Sequence, residues 1–317
     1  MKPYRHSCWI ALLVSSACCL LLQPVHAEVV AAKLQQSPAS FAQFGGAYTQ
    51  EDSHEMWLPL RAKYFADRPI IEGIGSRVTL TTPERAENDA AVPVSIQLQT
   101  DPSTTVQPVS QGNSAPASGV GMADKDPFKK VYLIVDVNPA PVGGIFTLAD
   151  KRAMTEITTH VRVNGYTYIR VVAETAAGKL YMDKRWVKST GAGCSAPPNI
   201  DQEEHKKRLG KMRFTLPDNT AVLEPRVLRL MISHPNNTGM QRDQLSTLFI
   251  PEHYVKQIKV SFNQQPLLEA ETSFTLSENP GFGFNFAPDE SGILRADMTD
   301  SENKTFSTET SIHGVER

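Results

Sequence analysis

The sequence predicts an all-β fold of two immunoglobulin-like β-sandwich domains in tandem, with a short N-terminal helix. Three observations favour it. Short runs in which apolar residues alternate recur from residue 78 to the C-terminus. Turn signals such as Asn164-Gly165 separate these runs. The runs follow one another with few helical patterns between them, which is typical of sandwiches rather than of α/β folds.

Residues 1–27 have the pattern of a secretory signal peptide. Lys2 and Arg5 are basic, residues 8–22 are almost wholly apolar, and a small-residue cleavage site ends at Ala27. The apolar run, about 15 residues, is shorter than a membrane span. A lipoprotein acylated at Cys18 is the less favoured alternative, because the apolar run continues past that residue. We therefore expect an exported, periplasmic protein without a membrane span.

Cleavage after Ala27 changes both the charge and the cysteine content of the chain. It removes two basic and no acidic residues, so the formal net charge goes from −2 to −4. An acidic balance excludes a general nucleic-acid-binding surface. Of the four cysteines only Cys194 remains. An unpaired cysteine in an oxidising compartment is a reactive group or an intermolecular link.

The first domain is expected over residues 53–198, after a polar entry segment at 28–52. A helix is predicted to start near Ser53 with Pro59 in its first turn, and to cap a sheet. Residues 101–127 are rich in Ser, Pro and Gly and are predicted to form an exposed loop. The predicted strands lie at 78–80, 92–99, 129–137, 157–163, 166–174 and 179–189.

A polar and charged segment at 199–219 is the predicted linker, within which "DQEEHKKRLGK" could form a brief helix. The second domain is expected over 220–317. In it Phe282, Phe284 and Phe286 share one face of a strand. Its predicted strands lie at 226–235, 254–263, 266–274, 282–288, 292–300 and 305–312.

Cys194 lies in the stretch "GAGCSAPPN", residues 191–199. Pro197 and Pro198 exclude a helix directly after it, and no basic residue stands close by in the sequence. We expect an exposed thiol with a pKa near the ordinary value of about 8.5. About six extended residues reach roughly 20 Å, far enough to enter a partner's active-site cleft. The residues predicted to make this a flexible arm are Gly191, Ala192, Gly193 and Ser195.

Other chemistry finds less support in the sequence. Close-set histidines or paired cysteines, the usual pattern of metal ligands, do not occur, so no metal and no cofactor is predicted. A Cys–His enzyme is disfavoured because nothing local would lower the pKa of the thiol. An attachment point presented to other proteins is the role that the composition of the arm favours.

Several segments resemble the two subunits of the periplasmic SoxYZ sulfur carrier. "PERAENDAAVPVSI" (83–96), "VDVNPAP" with "IFTLAD" (135–150) and the terminal "GAGC" resemble SoxY. "LRLMISHPNNTGM" (228–240) and "IPEHYVKQIKVSFNQQPLLEAETSFTLSENPGFGFNF" (250–286) resemble SoxZ. In that family the carrier cysteine lies in a GGCGG arm that ends SoxY, and this position falls on Cys194. Here the arm reads GAGCS and continues into the SoxZ-like half.

The resemblance implies a non-enzymatic periplasmic carrier. Cys194 would hold a thiosulfate-derived sulfur intermediate covalently and present it to the redox or hydrolytic enzymes that load and unload it. The fused arrangement looks like SoxYZ-like carriers associated with quinoprotein dehydrogenases. The alternative is therefore an accessory binding module of a periplasmic quinoprotein (PQQ) dehydrogenase, in which the thiol is secondary.

Overall fold

The computed structural model describes residues 48–99, 126–149, 154–199, 202–216, 226–286, 288 and 290–312. The predicted signal peptide and almost all of the entry segment and of the 101–127 loop lie outside these ranges. The described helices are α1 (Gln50–Phe65) and α2 (Gln202–Arg208). The described strands are β1 (Ile70–Glu72), β2 (Val78–Thr81), β3 (Val92–Leu98), β4 (Phe128–Val135), β5 (Val142–Leu148), β6 (Glu156–Val161), β7 (Thr167–Thr175), β8 (Leu180–Val187), β9 (Met212–Thr215), β10 (Arg226–Ile232), β11 (Val255–Phe262), β12 (Gln265–Thr272), β13 (Gly281–Phe286), β14 (Gly292–Asp300) and β15 (Thr305–Ile312).

Helix α1 begins three residues earlier than the sequence predicts. Thr49 is its N-cap: its hydroxyl accepts from the Asp52 amide at 3.1 Å, and the Asp52 carboxylate accepts from the Thr49 amide at 2.9 Å. Pro59 consequently lies inside the helix, not in its first turn. Trp57 and Phe65 are buried and pack with residues of β4, β7 and β8. The prediction that this helix caps a sheet is confirmed.

The strands form two sheets, and the all-β, immunoglobulin-like sandwich class is confirmed. One sheet has nine strands in the order β1-β8-β7-β4-β5-β12-β11-β14-β15, and the other has six in the order β2-β3-β6-β13-β10-β9. In β3 the side chains of Val92, Val94, Ile96 and Leu98 alternate inward as predicted. The strand that contains Phe282, Phe284 and Phe286 buries these three side chains in the same way.

The two halves of the chain are joined edge to edge through both sheets. In the larger sheet β5 pairs with β12, from Gly144 opposite Thr272 to Leu148 opposite Leu268. In the smaller sheet β6 pairs with β13, with Ile157 opposite Phe284. One cluster of buried apolar side chains runs through both halves. The halves therefore share sheets and core instead of lying in tandem as two closed sandwiches.

The predicted linker at 199–219 carries regular structure. It contains α2 and β9, and β9 pairs with β10, with Phe214 opposite Leu230. The second half therefore begins by residue 212. The brief helix considered for this segment is present.

Candidate functional site around Cys194

The arm leaves the end of β8 and turns inward at Cys194. Backbone hydrogen bonds between Lys188 and residues 84 and 86 fix its start. A turn then closes when the amide of Ala196 donates to the Ala192 carbonyl at 2.7 Å. Within this turn the Cys194 side chain is 0% exposed. The prediction of an exposed thiol is wrong.

Gly193 lets the turn approach the first half of the protein closely. A Cβ at this position would lie 2.3 Å from the Asp89 carbonyl oxygen and 2.4 Å from that of Val163. Both are backbone atoms, so neither can move aside as a flexible side chain could. Gly191 has a φ of 94°, which a residue with a side chain rarely adopts. From the sequence these glycines predict a flexible arm, whereas in the structure they allow the arm to pack closely against the first half of the protein.

Side chains from both halves of the chain bind the backbone of the turn. Arg162, just after β6, donates through Nη1 to the Gly193 carbonyl at 3.1 Å. Thr238 donates through Oγ1 to the Cys194 carbonyl at 2.6 Å. Gln241 donates through Nε2 to the Ala196 carbonyl at 3.0 Å. The segment predicted as a flexible arm is thus held on both sides of the cysteine.

Burial dominates the electrostatics of the thiol. It raises the pKa of Cys194 to about 12, and the guanidinium of Arg162 offsets this only in part. Arg162 is itself 1% exposed, and its Nε has no hydrogen-bond partner among the described residues. In this arrangement Cys194 is a protonated thiol at neutral pH, whereas nucleophilic attack requires the thiolate. The turn must therefore open before the sulfur can react.

The segment beyond the cysteine is also anchored to the second half. Glu278 accepts from the Asn199 amide at 2.8 Å, and its other oxygen lies 3.1 Å from Nε2 of His205 in α2. Both His205 and Glu278 are largely buried. These contacts fix the point at which the arm enters the second half.

The structure brings His234, His253 and Asp300 together, although they are far apart in the sequence. Their candidate ligand atoms lie within 4.8 Å of one another. His253 Nε2 is 2.8 Å from Asp300 Oδ2. The Nδ1 of His234, however, accepts from the Asn236 amide at 3.1 Å, so in the neutral ring the proton sits on Nε2. A metal would need the lone pair of that nitrogen, and the trio is better explained as support for the loop that carries Thr238.

A groove of about 380 Å³ lies on the outer face of the six-stranded sheet. Gly281 and Gly283 form part of its wall, and Ser95, His160 and Arg229 border it. No residue from 191 to 199 is among its lining residues. The thiol therefore does not open into this groove.

Sequence reasoning found Cys194 but missed its partners Arg162, Thr238 and Gln241. They lie 31 to 45 residues from the groups they bind. Thr238 belongs to the SoxZ-like motif "LRLMISHPNNTGM". That motif was the one sequence signal that could have drawn attention to this loop.

Two protein-family models match the chain. Sulfur oxidation protein SoxY matches residues 61–194, so its match ends on the candidate cysteine. Sulphur oxidation protein SoxZ matches residues 212–311. No curated protein matches significantly.

Similar solved structures include the sulfur carrier protein SoxY from Chlorobium limicola f thiosulfatophilum. It is 22% identical, with a TM-score of 0.31, over 43% of this chain and 93% of that one. A superoxide reductase (neelaredoxin) from Ignicoccus hospitalis is 13% identical, with a TM-score of 0.25, over 36% and 88%. Fibronectin(III)-like modules of Clostridium thermocellum CbhA are 11% identical, with a TM-score of 0.20, over 76% and 97%. Likenesses of this size carry no functional conclusion.

Among the described residues, no helix has the length and apolar character needed to cross a membrane.

Proposed function

The chain belongs to the SoxY and SoxZ sulfur-oxidation proteins, with both halves joined in one polypeptide, and we propose that it is a periplasmic carrier that holds a thiosulfate-derived sulfur intermediate on Cys194. The observation that supports this most directly is the position of the cysteine. It is the last residue of the SoxY match, and side chains of both family halves bind the turn around it. Export through residues 1–27 belongs to the same proposal.

The chemistry of loading defines the partner enzymes. Joining the Cys194 thiolate to the outer sulfur of thiosulfate forms one S–S bond and releases two electrons. The loading partner is therefore a redox enzyme with its own electron acceptor. A hydrolytic partner then adds water to the terminal sulfonate sulfur of the adduct and breaks its bond to the sulfane sulfur. This step releases sulfate and two protons and leaves a persulfide on Cys194. The chain itself contributes the thiol of Cys194 and presents the bound intermediate to the partner enzymes, and it is not an enzyme.

The turn closes over the free thiol and opens for each exchange. In the closed form Cys194 is fully buried and protonated. Three side-chain hydrogen bonds to the turn hold this form. The two bonds from Thr238 and Gln241 contribute about 1 kcal/mol net each, and the bond from the charged Arg162 contributes about 1.5–3 kcal/mol, so opening is accessible without unfolding either sheet. A partner that binds the open form would shift the equilibrium toward it.

Intact-mass analysis of the protein purified from its native periplasm tests the proposal. Wild type should carry an adduct whose mass corresponds to added sulfur or thiosulfate, removable by a reductant. Cys194→Ser should carry none and should fail to complement a deletion. Because position 194 is fully buried, the serine hydroxyl should also lower the free energy of unfolding by about 1–3 kcal/mol, a loss that should leave both sheets folded. A Cys194→Ser protein that complements fully would rule out the carrier role.

The burial of Cys194 is the observation that favours the alternative, an accessory binding module of a quinoprotein dehydrogenase. A module of this kind needs no reactive sulfur. It predicts that Cys194→Ser keeps both partner binding and biological activity, so the same variant separates the two proposals.

A further inference from the structure

Arg162 is a buried cation whose hydrogen-bond acceptors are all neutral among the described residues. Its Nη1 donates to the Gly193 carbonyl at 3.1 Å, and its Nη2 donates to the Asn236 carbonyl at 3.4 Å. The Nε–H has no acceptor within the described ranges, although the side chain is almost fully withdrawn from water. A buried charge without a counter-charge costs free energy. The guanidinium is therefore prepared for an anion that the free protein does not supply.

A second buried arginine shows what Arg162 lacks. The Nε of Arg170 lies 2.9 Å from one oxygen of Asp136 and 2.8 Å from the other, and both side chains are fully buried. The charge of Arg170 is thus compensated by a carboxylate within hydrogen-bond distance. In the part of the chain that the structure describes, no carboxylate forms such an ion pair with Arg162.

Glu278 is the acidic residue that acts on Arg162, but it is bound to other groups. Burial lowers the pKa of Arg162, and the charges of Cys194 and Glu278 oppose this only in part. The Glu278 carboxylate accepts from the Asn199 amide and lies 3.1 Å from Nε2 of His205. Its role at the entry to the second half therefore leaves the N–H groups of Arg162 without a charged acceptor.

Cys194 is the nearby position at which an anion could appear. Arg162 already binds the carbonyl of the preceding residue, Gly193. Burial raises the pKa of the Cys194 thiol and the charge of Arg162 opposes this, so the two side chains interact electrostatically. The free thiol is neutral in the closed turn and compensates nothing. An S-thiosulfonate on the same sulfur ends in a sulfonate, which is negatively charged at neutral pH and accepts hydrogen bonds through its oxygens.

We propose that Arg162 binds the terminal sulfonate of an S-thiosulfonate on Cys194, so that the closed turn favours this anionic cargo over a neutral adduct. This inference rests on the proposed carrier function and adds the residue that recognises the cargo. When the loaded turn closes, N–H groups of Arg162 that lack an acceptor in the free protein donate to the sulfonate oxygens. Such charge-assisted hydrogen bonds are stronger than those between neutral groups. Arg162 thereby shields the cargo until a partner opens the turn.

Two adducts that differ in charge test the inference in the purified protein. Tetrathionate loads the sulfonate: the Cys194 thiolate attacks an inner sulfur, the central S–S bond breaks, and thiosulfate leaves with the electron pair. Methyl methanethiosulfonate loads a neutral methyl disulfide in the same way, and methanesulfinate leaves. Mass spectrometry of the peptides confirms that each adduct is on Cys194.

The rate at which dithiothreitol releases each adduct measures how well the closed turn shields it. The ratio of the methyl disulfide rate to the sulfonate rate should be about tenfold higher in wild type than in Arg162→Met, as expected for one hydrogen bond to a charged group. Arg162→Lys keeps the charge and should restore part of the ratio. Arg229→Met removes an exposed arginine from the outer face of the six-stranded sheet and should keep the wild-type ratio. Equal ratios in wild type and Arg162→Met would overturn the proposal.

Thermal unfolding of wild type gives a second test that does not require a variant to fold. The sulfonate adduct should unfold at a temperature at least about 2 °C above that of the methyl adduct, because only the sulfonate compensates Arg162. An equal or lower midpoint would overturn the proposal.

The carrier function and the recognition of the sulfonate fail in different ways. If protein from native periplasm carries no adduct but the chemically loaded protein shows the effect of charge, the carrier function fails and the sulfonate site stands. If the periplasmic protein carries an adduct but the two loaded forms do not differ through Arg162, the carrier function stands and this inference fails.

Discussion

The hydroxyl of Thr238 donates a 2.6 Å hydrogen bond to the backbone carbonyl of Cys194, so a residue of the second half holds the candidate functional cysteine of the first. Together with Gln241 and Arg162 it keeps the turn closed and the thiol buried. The reactivity of Cys194 is therefore expected to depend on residues far from it in the sequence.

Removing one of these bonds should speed alkylation of Cys194 in the native protein. Loss of a hydrogen bond worth about 1 kcal/mol raises the open fraction about fivefold. Thr238→Val should therefore raise the rate at which Cys194 reacts with a small maleimide by about this factor. Mass spectrometry would measure the alkylated fraction over time. Ser246→Ala, in an exposed turn of the same loop, is the control and should leave the rate unchanged. Equal rates for Thr238→Val and wild type would contradict the closed turn.

Gly193→Ala should prevent the turn from closing while the sheets stay folded. The added methyl would lie within 2.4 Å of two backbone oxygens, which cannot move without disturbing the surrounding structure. We expect alkylation of Cys194 in this variant to approach the rate of the denatured protein, with a loss of about 1–3 kcal/mol in the free energy of unfolding. Ser195→Ala should keep the slow rate. Slow alkylation of Cys194 in Gly193→Ala would contradict the close packing of the backbone around position 193.

The contribution of Cys194 to stability should fall at alkaline pH. Burial raises the pKa of Cys194 to about 12 in the folded protein, above the ordinary cysteine pKa of about 8.5 in an unfolded chain. A group whose pKa is raised by folding stabilises fully below its unfolded pKa, and this stabilisation is lost as the pH rises toward the folded pKa. The difference in free energy of unfolding between wild type and Cys194→Ala should therefore shrink between pH 9 and 12. Urea unfolding across this range would measure it, and a constant difference would contradict the burial.

The buried ion pair beneath α1 should be critical for stability. Arg170 Nε lies 2.8 Å from Asp136 Oδ2, and both side chains are fully buried. Asp136→Asn leaves the guanidinium without its counter-charge and should cost about 3–5 kcal/mol in free energy of unfolding at pH 7.5. Asp297→Asn removes a partner of the exposed Arg295 and should cost less than about 1 kcal/mol. Similar losses in the two variants would contradict the expectation that burial determines how much an ion pair contributes to the free energy of unfolding.

The strand pattern could be predicted from sequence because alternation is a local signal. Strands rich in branched and aromatic residues, such as β3 and β7, were found where expected. Strand β5 was not identified, because "VGGIFTL" contains two glycines and begins after a Pro. The joining of both sheets across the halves could not be predicted, since it depends on pairings such as Ile157 with Phe284, 127 positions away.

The candidate cysteine was also predictable, because it is the one thiol left if the predicted signal peptide is removed. Its burial was not. The small residues around Cys194 are compatible with a flexible segment and equally with a segment that packs closely. Only the distant carbonyls of Asp89 and Val163 decide between these alternatives. The high pKa follows from the same contacts and carries no local sequence signal.

One polypeptide carries both halves of the candidate functional site, and the pairing of β5 with β12 and of β6 with β13 packs these halves together. Two separate subunits would associate according to their concentrations, and dilution would part Thr238 from Cys194. In this protein their association is intramolecular, and the stoichiometry of the halves is fixed at synthesis. We therefore expect the closed turn, and the slow alkylation that reports it, to be the same at nanomolar and at micromolar protein.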